Sequence, residues 1–185
     1  MHAPAAAHSM EALMPGHVIL SHGSDSGPDA TKVSALAKIA ESLGWTTERP
    51  DFREDDRLGH AGSIEPRIAR LHQRIATCAA PPVLVGSSMG AFVSGLASLE
   101  VPVAGLFLLA APALIPGSDL AFDVRLDVPT LLVHGWRDDV CPLDEIYEFA
   151  GRRELPLWIV NDDHRLAEHV DAIGRQFGLF LEQLG

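Results

Sequence analysis

Positive charge is scarce in this chain: 14 Lys and Arg stand against 25 Asp and Glu, a formal net charge of -11. Such a balance repels polyanions, which argues against nucleic acid as a partner and against polyanionic substrates. Cysteine is nearly absent. Cys78 and Cys141 lie far apart, so neither a disulfide framework nor a metal-binding spacing is expected, and a reducing, cytoplasmic setting is. No apolar run reaches the length of a membrane span. Residues 1–16 are rich in Ala, His, Met and Pro but lack a basic start followed by an apolar stretch. They read as a mobile tail rather than a signal peptide. Within it His2 and His8 make a poor metal site, being an unstructured pair. What the chain does have is 185 residues, 47% of them hydrophobic. That is enough to bury the core of one domain, over residues 17–185.

From His17 onward, strand and helix patterns alternate. Residues 17–20 are a short apolar run, as in a strand buried on both faces, and end in a polar loop, 21–27. Residues 28–43 read as a helix with Val33, Leu36, Ala37, Ala40 and Leu43 on one face, stopped by Gly44. A less apolar strand over 45–52 suits a sheet edge, and 53–62 reads as a charged loop in which Arg53, Asp55, Asp56 and Arg57 are solvated. Ser63 is the expected cap of a helix striped with Ile64, Ile68, Leu71 and Ile75. Further strands are predicted at 83–85, 103–109, 130–133 and 157–160, with helices after Ser88, over 142–150 and over 166–184. Residues 110–127 are irregular, broken by Pro112 and Pro116. Alternation of this kind gives parallel strands joined by right-handed crossovers. The expected fold is a doubly wound α/β, mainly parallel six-stranded sheet with helices on both faces. Ligands bind such sheets beyond the carboxyl ends of their strands. Ser24, Ser88, Asp138 and His164 each follow a strand, so all four fall on that edge.

The stretch Gly86-Ser87-Ser88-Met89-Gly90 fits G-x-S-x-G between an apolar strand and a helix. A serine in such a tight turn is pushed into reach of a substrate, and glycine neighbours make room for the strained backbone. Serving only as a helix N-cap is the plainer role for Ser88. A serine nucleophile needs a base, and the base needs an acid to hold its ring. His164 lies between the last strand and the last helix. The residues themselves offer Asp138 or Asp139 as the acid, in the loop after the fifth strand, or Asp162 or Asp163 beside His164. Adjacent residues cannot readily reach around to the far ring nitrogen. His22 and His134 suit loop bracing, and His60, His72 and His169 suit the surface.

The order Ser, Asp, His, with the His22-Gly23 loop, the serine turn and the stretch His134-Gly135-x-x-Asp138-x-x-x-Pro142, resembles the α/β-hydrolase superfamily. Within it, His22-Gly23-Ser24-Asp25-Ser26-Gly27-Pro28 followed by Thr31-Lys32 is similar to the small bacterial hydrolases related to dienelactone hydrolases. The resemblance implies a triad of Ser88, Asp138 and His164. It also implies an oxyanion hole made by the backbone N–H groups of Met89 and Ser24, and no metal or organic cofactor. Two departures stand out. The strands that usually precede the His-Gly strand are missing, and the segment before the fifth strand is too short for a helical lid. Long-chain lipids are therefore poor candidates, and a small-molecule ester or thioester is the expected substrate. Trp136, Leu114 and Ile115 are either ordinary apolar loop residues or walls of the acyl pocket. An acyltransferase on the same triad and a catalytically silent binding fold are the alternatives. The sequence does not specify an oligomeric state.

Overall fold

The computed structural model describes residues 15–185. Most of the expected tail, with His2 and His8, lies outside the described residues. The elements run β1 (His17–Ser21), α1 (Thr31–Ser42), β2 (Thr46–Glu48), α2 (Arg53–Asp56), α3 (Gly59–Ile75), β3 (Val83–Ser87), α4 (Met89–Glu100), β4 (Gly105–Leu109), β5 (Thr130–Gly135), α5 (Leu143–Arg153), β6 (Leu157–Val160) and α6 (Val170–Glu182). Among the described residues the strands form one all-parallel sheet in the order β2-β1-β3-β4-β5-β6. No described helix is long and apolar enough to cross a membrane.

Side chains alternate across a pleated strand, and here the alternation divides the interior in two. Ile19, Leu84, Leu106, Leu108 and Leu132 join the apolar faces of α3, α4 and α5. Val18, Leu20, Val83, Val85, Phe107, Leu109 and Val133 join α1 and α6 on the other face. Strands β1, β3, β4 and β5 are therefore apolar on both sides, which is why they read as continuous runs rather than alternating ones. The segment between β4 and β5 holds no helix, and its Ile115, Phe122 and Val124 pack against the first of these cores.

Gly44 ends α1 as expected. Its φ of +84° lets its N–H reach Glu41 O while Trp45 N–H reaches Ala40 O, which satisfies the last carbonyls of the helix. Several expected boundaries shift. α1 starts at Thr31 rather than at 28, and β2 keeps only three residues at the sheet edge. Pro142 stands at the N-cap of α5 rather than inside it. Leu166, with a φ of 54°, sits in the loop before α6, which begins at Val170. A left-handed residue cannot continue a right-handed helix.

The largest correction concerns residues 53–62, which are not a loop. They form α2 and the first turn of α3, and Ser63 lies buried within α3, donating to His60 O one turn back instead of capping. Nor are the two acids solvated. Asp56 holds Arg67 through two hydrogen bonds of 2.7 Å, and Asp55 holds Arg70 at 2.8 and 3.0 Å. Arg67 is fully buried and lies 4.7 Å from the centre of the Phe52 ring. Breaking a buried pair of this kind by removing one partner costs about 3–5 kcal/mol, since the other charge is stranded. Arg53 and Arg57 do stay exposed.

Candidate active site

The sheet reverses its direction of growth between β1 and β3. β2 lies to one side of β1, and β3 to β6 follow on the other. Loops leaving two such strands part in opposite directions and open a crevice at their carboxyl ends. Ser88 occupies the turn from β3 to α4 with φ 56° and ψ −120°, a region unfavourable to a side-chain-bearing residue. Two contacts hold it there. Its N–H donates to Leu109 O at 2.9 Å, and Gly90, two residues on, lies so close to the Ser21 and His22 carbonyls that a Cβ has no room. Although Ser88 stands at the N-cap of α4, its side chain makes no capping hydrogen bond. Its Oγ lies 3.0 Å from His164 Nε2 instead.

On its other side the His164 ring is held by a carboxylate. Nδ1 lies 2.8 and 3.0 Å from the two oxygens of Asp138, so Nδ1 carries the proton and Nε2 is free to accept one. Asp138 is buried and also accepts from the N–H groups of Val140 and Cys141 at 3.0 and 2.8 Å. Burial pushes its carboxyl up, but the hydrogen bonds from His164, Cys141 and Val140 outweigh this and hold it below the ordinary range. His134 is buried beside it, with Nε2 donating to Cys141 O at 2.8 Å. Burial lowers the pKa of this ring and keeps it neutral. The Asp138 and His164 loops are stitched together by Trp136 N–H to Val160 O and Arg137 N–H to Asp162 O.

The rival acids are placed elsewhere. Asp139 is exposed. Asp162 is buried but turned away from the His164 ring. It accepts from the N–H groups of Asp163, Glu168 and His169, and from His169 Nδ1 at 2.9 Å. His169 is thus half-buried and engaged rather than free on the surface, and His72 is half-buried as well, whereas His60 is exposed.

A cavity of about 550 Å³ opens beside Ser88 and His164 and is lined also by Ser24, Ser26 and Lys32. Gly23 brings the loop after β1 against the serine turn: a Cβ there would meet Ser88 Cβ at 3.4 Å. Met89, the first residue of α4, is buried directly after the serine. The side-chain walls proposed from sequence are not part of this cavity. Trp136 is exposed over a shallow hollow with Ile159, because its backbone is tied to the end of β6. Leu114 and Ile115 line a separate hollow with Val140 and Pro142.

Two basic residues at the site were given no role from sequence, although Lys32 belongs to the Thr31-Lys32 pair that carries the resemblance. Lys32 Nζ donates to His164 O at 3.2 Å from the first turn of α1. Burial holds its ammonium down to about 8 despite the carboxylates of Asp138, Asp163 and Asp162 nearby. Arg67 donates to His22 O at 2.8 Å and Gly23 O at 3.3 Å. It had a visible signal, since it falls on the same helical stripe as Ile64 and Leu71, where a charge requires a buried partner. Asp138, Cys141 and His164 offer atoms close enough to hold a cation, but burial and the Asp138 charge push the Cys141 thiol up to about 12. A thiol so reluctant to ionise is a poor metal ligand.

Comparison with known proteins agrees with this architecture. A Xanthomonas campestris pv. campestris protein assigned to hydrolases of the alpha/beta superfamily is 42% identical, superposes with a TM-score of 0.86, and is matched over 91% of this chain and 99% of its own. An alpha-beta serine hydrolase homologue from Coxiella burnetii shares the fold at 22% identity and a TM-score of 0.71, over 92% of this chain and 86% of its own. A serine hydrolase without a lid, also from Xanthomonas campestris, does so at 19% identity and 0.65, over 93% and 83%. No protein-family model matches the chain, and no curated protein does.

Proposed function

This chain belongs to the α/β hydrolase superfamily, and we propose that it is a serine hydrolase cleaving carboxylic esters or thioesters of small substrates through an acyl-enzyme. The reading rests above all on one observation: the unbroken chain Ser88 Oγ, His164 Nε2, His164 Nδ1, Asp138, with links of 3.0 and 2.8 Å between three separate loops. Ser88 Oγ attacks the carbonyl carbon while His164 Nε2 takes its proton. Asp138 holds the ring in the tautomer that can accept and stabilises the imidazolium that forms. The carbonyl oxygen becomes negative and is met by the N–H groups of Met89 and Ser24. Collapse of the tetrahedral species expels the alcohol or thiol, which leaves with the proton from His164. Water then gives a proton to His164 and attacks the acyl carbon. The second collapse frees the acid and returns the proton to Ser88 Oγ. Every group these steps need is a side chain or a backbone N–H. We assign the substrate to the cavity beside Ser88, which no lid helix among the described residues covers, so short acyl groups are favoured.

Titration with a fluorophosphonate, followed by p-nitrophenyl esters and acyl-CoA thioesters of increasing length, tests this. One equivalent of label on Ser88 and a rate that falls with acyl length are expected. Folded protein that takes up no label overturns the assignment, and a jump in rate above the micelle threshold of a long-chain ester overturns the preference for short acyl groups.

A further inference from the structure

The loop that follows β1 is held by an unusual concentration of donors on a single carbonyl. Gly23 O accepts from His22 Nδ1 at 2.7 Å, from Ser26 Oγ at 2.9 Å and from Arg67 Nη2 at 3.3 Å. His22 can donate through Nδ1 because its Nε2 accepts the Phe52 N–H at 3.0 Å, which fixes the neutral tautomer. Arg67 spends one more N–H on His22 O at 2.8 Å, and its remaining fork grips Asp56. Asp56 stands in α2 and Arg67 in α3, so two helices distant in sequence from the loop converge beneath it.

A trans peptide unit is planar, with its C=O and N–H pointing in opposite directions. Fixing the Gly23 carbonyl on one side therefore fixes the Ser24 N–H on the other, and Ser24 lines the cavity that holds Ser88. The same contact acts electronically. A guanidinium on the carbonyl draws density from the amide and makes its N–H a stronger donor. We propose that Arg67, held by Asp56, is a positioning residue for the oxyanion hole: it clamps the Gly23–Ser24 peptide so that the Ser24 N–H faces the developing negative oxygen. Arg67 touches neither substrate nor reacting atoms. This inference rests on the serine-hydrolase reading and on Ser24 being one of the two donors.

A hole that is misaimed loses transition-state binding while ground-state binding survives. The test uses Arg67→Lys, which keeps a charge but loses the fork, and Ser26→Ala, which removes one clamp donor and leaves the buried ion pair intact. For each variant, kcat and KM on an activated ester are measured beside the inhibition constant of an aryl trifluoromethyl ketone, whose serine adduct carries the same negative oxygen. In Arg67→Lys kcat should fall by up to about a hundredfold, near the lower figure for loss of one oxyanion donor, with KM within about threefold. The ketone constant should weaken by the same factor as kcat/KM. Ser26→Ala should show the same parallel at a smaller scale. A fall in kcat with an unchanged ketone constant overturns the proposal, as does full activity in folded Arg67→Lys. Should Arg67→Lys fail to fold by circular dichroism, Ser26→Ala decides alone, and an unchanged ketone constant there overturns it. Fluorophosphonate labelling of the wild type keeps the two readings apart. Without label on folded wild type the hydrolase assignment fails, whereas label with no parallel in the variants removes only the role of Arg67.

Discussion

Two Asp–His pairs sit on neighbouring loops of the same sheet edge, and by local chemistry they are hard to tell apart. Asp138 accepts His164 Nδ1 at 2.8 Å and two backbone N–H groups, while Asp162 accepts His169 Nδ1 at 2.9 Å and three. Both carboxylates are buried, and in both burial is outweighed by hydrogen bonds that hold the acid below its ordinary range. The difference lies at the far nitrogen of each ring. His164 Nε2 meets the Ser88 hydroxyl, whereas the Asp162 pair closes on its own loop between β6 and α6. An acid that orients an imidazole is thus a general way to fix a loop. It becomes part of a catalytic device only when the ring's second nitrogen is aimed at a group able to attack.

Removing the third partner should have the largest effect. Ser88→Ala should lower kcat on an activated ester by on the order of a millionfold while the thermal midpoint barely moves, because alanine fits the turn. Turnover near wild type in this variant, with Ser87→Ala inactive, would move the nucleophile by one residue. Next, Asp138→Asn should cost roughly 10⁴ in kcat through the wrong His164 tautomer, with the fold retained. The matching change, Asp162→Asn, should reverse the balance. It weakens charged hydrogen bonds that brace the loop, for about 1–3 kcal/mol of stability, while kcat falls less than about tenfold. Equal kinetic losses in the two Asn variants, measured on the same ester, would erase the distinction drawn between the pairs.

Acid should act on stability in two stages. Burial holds both His22 and His134 below the ordinary histidine value of 6.5. Between that value and their folded pKa values the unfolded chain binds protons that the folded one refuses, so stability falls as the pH drops below 6.5. Asp138 and Asp162 add a second loss below 3.8, where the unfolded carboxyls protonate first. A thermal midpoint that stays level from pH 7.5 to 5 would contradict the first stage. The smallest effect belongs to Asp139→Asn: this side chain is exposed, and kcat should change by less than about tenfold, its most being a helix-terminus interaction of under ~1 kcal/mol.

Local patterns in the chain made much of this legible. Continuous apolar runs marked the strands, Gly44 marked the end of α1, and the glycines around Ser88 marked the tight turn. Charge was the least legible property. Asp55 and Asp56 read as solvated because they sit in a run of mixed charge with Arg53 and Arg57; their partners Arg70 and Arg67 lie one helix further on. Ser63 read as a cap because it stands immediately before the stripe that begins at Ile64, yet α3 had already begun at Gly59. The Trp136 loop read as a pocket wall because it adjoins Asp138, but adjacency in sequence places a side chain no closer than the turn allows, and this turn points it to solvent.

The sequence by itself determined the alternation of strands and helices, the parallel sheet that follows from it, and the placement of Ser88, Asp138 and His164 after the carboxyl ends of β3, β5 and β6. Those are consequences of periodicity and of short-range backbone geometry, which act over one or two turns of chain. Only the tertiary structure decided which aspartate faces His164, that Asp162 serves His169 instead, and that Arg67 lies under the Gly23 carbonyl. These pairings join residues 26 to 44 positions apart or set two equivalent local partners in competition. They are decided where strands, loops and helices meet, because hydrogen-bond partners for buried polar groups are chosen by distance in space and not by distance along the chain.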